Sequence, residues 1–369
     1  MKKRVLVSVI SEVVTDQRVL KECRTLYNMG YEVFLIGRKS ENNFLLKELP
    51  YKVIRLNTIY KKGILMYAGF NFQLFFHLLF RRSDILWSND LDTLMPNYLV
   101  SKIKSKQLIY DSHEYFTESV YKPVSKKIWT VIEKFIFPKL KNVITVNHSI
   151  KEKYEEQYHV PITVIRNVPY KLLIDDDSIK VELPADKKIL VMQGIGLNEN
   201  RGGEEAVQMM QYLPDDFILY FIGRGTMLNK LKQMVDDLHL QEKVTFIGVL
   251  PYDQMMQYTR KCFLGLILEK IEVTDEHMFA LPNRLFDYMK AGIPVLSTKA
   301  VEIKKIIQQY NAGALLEDAH PQKIAEKIIE VSNDIPTYQL WKNNTAAVIH
   351  DNCWENESLK LIDFMEKIK

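Results

Sequence analysis

Short apolar runs alternate with longer amphipathic segments from one end of the chain to the other. The short runs fit buried strands and the longer segments fit surface helices, so the pattern predicts β-α-β units and parallel sheets. In the first half, strands are predicted at residues 5–10, 32–36, 52–56, 85–87, 108–110 and 143–146. In the second half, they are predicted at residues 189–192, 218–222, 244–246, 263–268, 295–297 and 314–316.

Two of the intervening segments carry clear helix signals. Residues 16–29 have apolar side chains at helical spacing and are followed by Gly30, which is typical of a helix with a C-terminal glycine. The side chains predicted to face the core are Val19, Cys23, Leu26 and Tyr27. Residues 149–152 read Ser-Ile-Lys-Glu, a capping-box pattern that predicts another helix start.

The periodic pattern lapses between residues 167 and 186, where prolines flank an acidic run. A chain of 369 residues is long enough for two domains, and such a lapse is typical of a linker. We therefore predict one Rossmann-like α/β domain at residues 1–168, a second at 169–345, and a C-terminal helix at 346–369 that packs back towards the first domain. In open parallel sheets, ligands bind at the carboxyl ends of the strands, so we expect both domains to face a central cleft.

Composition argues against a nucleic-acid binder, a disulfide-rich protein and a zinc protein. Hydrophobic residues make up 47% and charged residues 26%, which is ordinary for a globular protein, and the net charge of +4 is spread without the dense basic stripe of a nucleic-acid binder. The three cysteines are far apart and have no metal-ligand spacing, which fits a reducing cytoplasm better than a disulfide framework or a zinc site. The apolar run at residues 5–10 is too short for a signal peptide.

Two segments combine aromatic and basic residues, at 70–82 and 126–139. The first contains Asn71, Gln73 and His77, so it does not fit a membrane span. Each segment fits either a buried helix of the first domain or a helix that lies at the headgroup level of an anionic membrane. The sequence leaves these two interpretations open.

Two glycine-bearing loops follow predicted strands of the second half. Gly194-Ile195-Gly196 leads to Arg201 at the start of the next helix, where backbone N–H groups and a guanidinium would form a diphosphate receptor. A tight turn with a solvated arginine is the alternative. Residues 222–225 read Ile-Gly-Arg-Gly, which fits a ligand loop or a sharp turn, and the chain contains no GxxxxGK[ST] P-loop sequence.

A third segment, residues 276–295, predicts a helix that begins at Pro282 and Asn283, with Asn283 as N-cap. Its core-facing positions would be Leu285, Tyr288 and Met289. Asp287 then lies about one turn inside the helix, where its carboxylate could accept both hydroxyls of a ribose. A solvated helix aspartate is the alternative.

The sequence Leu-Pro-Asn-Arg-Leu-Phe-Asp-Tyr-Met-Lys-Ala-Gly-Ile-Pro-Val at 281–295 resembles the donor-site signature of the retaining glycosyltransferases of family 4, which have the two-domain GT-B fold. Weaker motifs follow in the order of that family. They lie at residues 15–19, 30–33, 110–114, 164–167 and 201–202. The resemblance thus extends over nearly the whole chain.

The resemblance implies roles for individual residues. It implies that Arg201 contacts the donor diphosphate, together with the loop at Gly194, and that Asp287 binds the ribose. Asp16 and Arg18 would border the cleft, and His113 would lie near the reacting sugar or the acceptor, so His113 and Arg201 are the expected catalytic residues. The backbone that would follow the sugar and pyrophosphate belongs to Ala280, Leu281, Pro282 and Asn283.

The chain departs from the family at one acidic position. The acid expected eight residues before Asp287 is replaced by Phe279, and the nearest acid is Glu276, a candidate contact of the donor sugar. His113-Glu114 does not complete an HExxH zinc motif, because Thr117 stands where the second histidine is required.

The function implied is transfer of a sugar from a nucleoside diphosphate sugar, linked to UDP, GDP or ADP, to a hydroxyl of a glycan or lipid-linked glycan. Bacterial surface polysaccharide or lipopolysaccharide synthesis is the implied setting, in the cytoplasm and in peripheral contact with the membrane. No metal or other cofactor is expected. Two alternatives remain open at this point: a nucleotide-sugar 2-epimerase of the same fold, and a non-catalytic nucleotide-binding partner protein.

Overall fold

The computed structural model describes residues 2–13, 16–39, 49–61, 63–119, 123–171, 181–194 and 196–368. The chain forms two compact units. The first unit comprises Met1–Asn167 and Trp354–Lys369, and the second comprises Val168–Cys353. The acidic part of the predicted linker lies outside the described residues.

The first unit contains one parallel sheet of seven strands in the order β3-β2-β1-β4-β5-β6-β7. The strands are β1 (Arg4–Glu12), β2 (Glu32–Arg38), β3 (Lys52–Leu56), β4 (Ile85–Asn89), β5 (Gln107–Ser112), β6 (Asn142–Thr145) and β7 (Ile162–Val164). The helices between them are α1 (Gln17–Asn28), α2 (Ile64–Phe80), α3 (Leu94–Lys104), α4 (Phe116–Ser119), α5 (Pro123–Ile136) and α6 (His148–Tyr158). Short 3-10 turns occupy Leu91–Thr93 and Phe137–Lys139.

The second unit contains a parallel sheet of six strands in the order β10-β9-β8-β11-β12-β13. The strands are β8 (Lys188–Gly194), β9 (Phe217–Gly223), β10 (Val244–Gly248), β11 (Leu264–Ile267), β12 (Val295–Thr298) and β13 (Gly313–Leu316). The helices are α7 (Gly203–Met209), α8 (Leu228–Asp237), α9 (Tyr252–Arg260), α10 (Asp275–Met278), α11 (Asn283–Lys290), α12 (Val301–Tyr310), α13 (Pro321–Asn333) and α14 (Ile335–Asp351). The last helix of the chain, α15 (Trp354–Lys367), belongs to the first unit and packs on α1.

The predicted α/β class and all twelve predicted strands are confirmed, and among the described residues only β7 was missed, because three residues are too few to show a period. The units divide at residues 353/354 rather than at 345/346. The reason is that α14 is one continuous helix, and its Val348 and Ile349 are buried in the core of the second unit.

Two local predictions were wrong. Tyr27 is exposed, and the core-facing side of α1 instead includes the buried Arg18 and Glu22. Helix α6 is capped by Asn147, whose side chain accepts a hydrogen bond from the backbone N–H of Ile150, and the predicted capping residue Ser149 is already helical. Asparagine caps as well as serine does, so the pattern indicated the helix but misplaced its first turn.

Candidate functional site

In the second unit, strand order reverses between the neighbouring strands β8 and β11, because β8 leads to β9 on one side and β11 leads to β12 on the other. Ligands of open parallel sheets bind beyond the carboxyl ends of the strands at this point. Arg201 follows β8, and Glu269 follows β11. The sheet order therefore brings the two residues together, although they are 68 positions apart.

Four charged side chains form a continuous chain of salt bridges here. Arg201 donates from Nη1 to Glu269 Oε2 at 2.9 Å and from Nη2 to Glu276 Oε1 at 2.9 Å. Arg284, in the first turn of α11, donates from Nη2 to Glu269 Oε1 at 2.6 Å. Glu269 is buried, so one carboxylate fixes two guanidinium groups by charge-assisted hydrogen bonds. We call these four residues the arginine–glutamate cluster.

Glu269 was not singled out by sequence reasoning, although one signal was present. It is the first acidic residue after an apolar strand, at the carboxyl end where ligand sites form. Its backbone is also fixed, because its carbonyl accepts from Thr298 Oγ1 at 2.7 Å and the N–H of the adjacent Lys270 donates to the Asn200 carbonyl at 2.9 Å. The loops after β8 and β11 and the last residue of β12 therefore hold one another in place.

Glu276 lies on the short helix α10, which begins after Thr274. The Thr274 side chain accepts from the backbone N–H of His277, and its hydroxyl lies 2.7 Å from His277 Nδ1. Burial lowers the pKa of His277, which keeps the ring neutral beside the two carboxylates of the cluster. The second oxygen of Glu276, Oε2, is buried and has no hydrogen-bond partner among the described residues.

Glycines allow the loops of this region to approach closely. Gly202, next to Arg201, has φ of +78°, and a Cβ there would lie 2.2 Å from the carbonyl oxygen of Leu268. Gly194, at the end of β8, has φ of +141°, and its carbonyl packs against Gly223, where a Cβ would lie 1.8 Å away. Close packing of the backbone therefore requires glycine at these positions. Their ligand role stays a prediction.

Helix α11 begins with Asn283 as its first helical residue, not as its N-cap. The cap position is Pro282, and no side chain among the described residues caps the helix. The first N–H groups of a helix have no partner within it, so this end offers donors and a positive dipole to an anion. The approach to the helix is half-buried and consists of Ala280, Leu281 and Pro282, which follow Phe279.

The predicted core stripe of α11 is confirmed, since Leu285, Tyr288 and Met289 are all buried. Asp287 is partly exposed and lies on another side of the helix. Its Oδ1 accepts a hydrogen bond from the hydroxyl of Tyr252 at 2.8 Å. Tyr252, at the start of α9, was missed by sequence reasoning because nothing in its local pattern relates it to a residue 35 positions away.

The first unit has a second cluster at its own point of strand reversal, between β1 and β4. Arg18, on α1, donates from Nε and Nη2 to both oxygens of Asp111 at 2.9 and 2.7 Å, and from Nη1 to the Ile165 carbonyl at 2.8 Å. It also lies 3.0 Å from Glu22. Arg18 is 1% exposed, so its geometry fits a residue that supports the site through Asp111.

His113 completes this cluster, which we call the histidine–aspartate cluster (Arg18, Glu22, Asp90, Asp111 and His113). His113 Nε2 lies 3.2 Å from Asp111 Oδ2, and Nδ1 lies 3.3 Å from Asp90 Oδ2. Burial opposes the charge on the ring, but the two carboxylates outweigh burial and raise the pKa of His113 to about 10. His113 is therefore an imidazolium at neutral pH: Nε2 donates to Asp111, and Nδ1 makes an ion contact to Asp90.

Glu22, Asp111 and His113 place ligand atoms within 4.8 Å of one another, as a metal site would require. The guanidinium of Arg18 already lies against both Glu22 and Asp111, so these carboxylates have a cation of the protein's own. The arrangement thus fits an ion-pair network better than a metal centre. Asp16, the remaining predicted residue of this unit, caps α1 by accepting from the N–H of Val19 at 3.2 Å.

Two family models match the chain. The model of glycosyl transferases group 1 matches residues 174–348, and the model of glycosyltransferase family 4 matches residues 17–168. Among curated proteins, the amylovoran biosynthesis glycosyltransferase AmsK of Erwinia amylovora is 23% identical over 158 residues, which is 42% of this chain and 39% of that protein. The matched part of the chain thus spans about two fifths of the length of this relative.

Solved structures are similar over the full length. Sucrose-phosphate synthase from Thermosynechococcus elongatus superposes with a TM-score of 0.83 at 15% identity, covering 100% of this chain and 99% of that one. Anabaena HepE in complex with UDP-glucose gives a TM-score of 0.75 at 14% identity, covering 99% of both chains. At such identities the likeness is one of fold, and this fold of two Rossmann-like domains is GT-B. With family models matching both halves, the resemblance seen in the sequence is confirmed, and the chain belongs to the GT-B glycosyltransferases of family 4.

Proposed function

We propose that this chain is a retaining glycosyltransferase that moves a sugar from a nucleoside diphosphate sugar to a hydroxyl acceptor. The observation that carries the proposal is the arginine–glutamate cluster. Glu269 holds Arg201 beside the first turn of α11, whose backbone N–H groups have no side-chain cap among the described residues and carry the positive end of the helix dipole. A diphosphate is the group that such a site suits best.

The diphosphate carries the chemistry of the leaving group. As the bond between the sugar and the diphosphate breaks, negative charge develops on the departing oxygen. A guanidinium that is already fixed stabilises this charge without having to reorganise. Arg201 has this property, because two carboxylates orient it before any ligand arrives. The proposal needs no metal ion at this step.

The remaining donor contacts follow from the same unit. We assign the ribose hydroxyls to Asp287, whose carboxylate is held at one oxygen by Tyr252. We assign a sugar hydroxyl to Glu276, because its buried Oε2 has no hydrogen-bond donor among the described residues, and such an oxygen is costly to leave unsatisfied. Glu276 would then replace the acid that Phe279 displaces.

His113 has a different chemical role in this proposal. With a pKa of about 10 it holds its proton at neutral pH, so it cannot act as the base that accepts the acceptor's proton. Nε2 is committed to Asp111, whereas the Nδ1 proton makes only the 3.3 Å ion contact to Asp90 and can be shared with a hydroxyl of the sugar or the acceptor. We therefore propose His113 as an orienting donor.

We place the reaction in the cytoplasm, in synthesis of a bacterial surface polysaccharide or lipopolysaccharide, with a glycan or lipid-linked glycan as acceptor. The relative AmsK is named for amylovoran biosynthesis, and this supports the polysaccharide setting. UDP-sugars are the first donors to test, because HepE binds UDP-glucose. Peripheral contact with the inner face of the membrane is part of the proposal.

The experiment begins with thermal unfolding of the protein in the presence of UDP-, GDP- and ADP-sugars. A ligand that binds only the folded state raises the unfolding temperature by mass action, so one nucleotide series should stabilise the protein more than the others. Transfer is then measured with that donor and a panel of glycan and lipid-linked acceptors. Arg201→Ala should lower the transfer rate about 10²- to 10³-fold.

Lys304→Ala, which removes an exposed cation from α12, is the matched control and should transfer at the wild-type rate. If no nucleotide sugar stabilises the protein, or if Arg201→Ala transfers normally, the donor site is misassigned. Conversion of the donor alone into an epimer would identify a 2-epimerase. Nucleotide binding without turnover on any acceptor would identify a non-catalytic partner protein.

A further inference from the structure

Helix α2 has an unusual distribution of polarity. Its seventeen residues include no Asp, Glu, Lys or Arg. The inner face is buried against the first unit and consists of Met66, Phe70, Leu74 and Leu78. A helix of this kind at a protein surface is expected to present polar side chains on its other face.

The outer face of α2 is apolar instead. Phe72 is 66% exposed and Phe80 is 79% exposed, and Phe76 lies between them with its ring 4.9 Å from Phe72 and 6.0 Å from Phe80. The two amide side chains bond to neighbouring backbone: Asn71 Nδ2 donates to the Asp92 carbonyl at 2.8 Å in a part-buried contact, and Gln73 Nε2 donates to the Asn57 carbonyl at 2.9 Å in an exposed one. The inner face therefore fits a buried helix of the first unit, and the apolar outer face is the part that this interpretation leaves unexplained.

The neighbouring helix α5 repeats the arrangement. Its outward positions include Ile128, Val131 and Phe135, of which Val131 is 62% exposed and Phe135 is 55% exposed. Helices α2 and α5 are in contact, since the ring of Tyr67 meets the ring of Trp129 edge to face at 5.3 Å. We call Phe72, Phe76, Phe80, Ile128, Val131 and Phe135 the apolar face.

Helix α3 belongs to the same surface. It packs on α2, and its Lys104 Nζ donates to the carbonyl of Leu78 at 3.2 Å. Its Tyr98 ring meets the Phe135 ring of α5 at 6.4 Å. Ile103, at its outer side, is 61% exposed. The three helices thus form one surface of the first unit, and exposed apolar patches of this extent mark interaction sites.

The charges on this surface have one sign. Lys102, Lys127 and Lys134 are exposed, and Lys139 Nζ lies 3.2 Å above the ring of Phe135. The sequences of α2, α3 and α5 contain a single acidic residue, Glu133, which is buried and accepts from the hydroxyl of Tyr158 at 2.6 Å. The outer sides of the three helices therefore combine aromatic and aliphatic side chains with cations only.

We propose that the apolar face and its lysines dock on the surface of an anionic lipid bilayer. Aromatic side chains enter the boundary between headgroups and acyl chains, and lysines at the rim meet the lipid phosphates. A second copy of the chain fits less well, because a symmetric contact would set lysines against lysines. The surface lies on, and does not span, the membrane, since among the described residues no helix is long and apolar enough to cross it.

The test is sedimentation of the full chain with vesicles of phosphatidylcholine and with vesicles that also contain phosphatidylglycerol. The protein should bind the anionic vesicles, more weakly at high salt, and bind neutral vesicles at least tenfold less well. Replacing Lys127 or Lys134 by Ala should weaken binding about fivefold each. The double variant Phe72→Asp/Phe80→Asp should abolish binding, because it places charge where apolar side chains insert.

Leu359→Asp is the matched control. Leu359 is 63% exposed on α15, which packs on α1 and not on the apolar face, so this variant should bind vesicles like the wild type. Circular dichroism establishes that the variants fold. Equal binding to neutral and anionic vesicles would overturn the proposal, and so would a dimer that the Phe72→Asp/Phe80→Asp variant dissociates in the absence of vesicle binding. The inference rests on the membrane contact in the proposed function, but vesicle binding is measured without donor or acceptor, so its failure would remove that contact and leave the transfer reaction to its own test.

Discussion

The two units place charged clusters at equivalent points of their sheets, yet the clusters differ in kind. Both lie where strand order reverses, and in both an arginine that follows the first strand of the unit is held by a buried carboxylate. In the first unit that carboxylate, Asp111, also holds a histidine. In the second unit Glu269 holds another arginine.

This difference decides what each cluster can do. Guanidinium groups do not lose their protons, and burial of Arg201 is outweighed by its carboxylates, which raise its pKa further, so both arginines of the arginine–glutamate cluster stay charged at any working pH. The histidine–aspartate cluster depends on a ring whose charge is maintained only by its neighbours. The second unit is thus suited to a permanent anion site, and the first to a hydrogen-bond donor whose charge can be removed.

Removal of Asp111 should have the largest effect. Asp111→Ala leaves Arg18 buried without its bidentate partner, and loss of one partner of a buried ion pair costs about 3–5 kcal/mol. The unfolding transition of the first unit, followed in urea, should shift by this amount while the transition of the second unit stays in place. A loss below about 1 kcal/mol, the range of exposed pairs, would show that Arg18 is not held as described.

Glu269→Gln should have the next largest effect, about 3 kcal/mol on the second unit, because both Arg201 and Arg284 lose their shared counter-charge. Glu276→Gln is the matched comparison and should cost less, since Glu276 pairs with Arg201 alone among the arginines of the cluster. Urea unfolding of both variants measures the difference. Equal losses would mean that Glu269 does not join the two arginines.

The pH dependence should separate the two units. The pKa of His113 is raised from its ordinary 6.5 to about 10, so its stabilising contribution is fully present below pH 6.5 and is lost as the pH rises through about 10. The unfolding free energy of the first unit should therefore fall over this range more steeply in the wild type than in His113→Gln. If both proteins show the same slope, the ring is not charged.

Tyr252→Phe should have the smallest effect. It removes one hydrogen bond to Asp287 and should destabilise the second unit by about 1 kcal/mol. If Asp287 binds the ribose, nucleotide affinity measured by calorimetry should also change, whereas affinity for inorganic diphosphate should not. Tyr258→Phe, which alters another tyrosine of the same helix, serves as control.

Much of the fold could be predicted because each element carries its own signal. The apolar run of β8 and the helical spacing of apolar positions in α11 can both be recognised in consecutive residues, and the stripe of Leu285, Tyr288 and Met289 was found in this way. The ionic partners could not be predicted, since Arg18 and Asp111 are 93 positions apart and only the strand order brings them together. The N-cap of α6 could not be predicted either. Asn147 and Ser149 are both good capping residues, and which of them caps the helix depends on where the chain leaves β6.

By itself, then, the sequence determined the α/β class, the strands and the family, because local periodicity and ordered short motifs do not depend on which elements become neighbours. Only the tertiary structure decided that Glu269 joins two arginines, that His113 is held as a cation, and that α2 turns Asn71 inward and Phe72, Phe76 and Phe80 outward. Each of these depends on contacts between elements distant in the chain, where burial and Coulomb forces, which fall with distance in space and not in sequence, set charge and orientation.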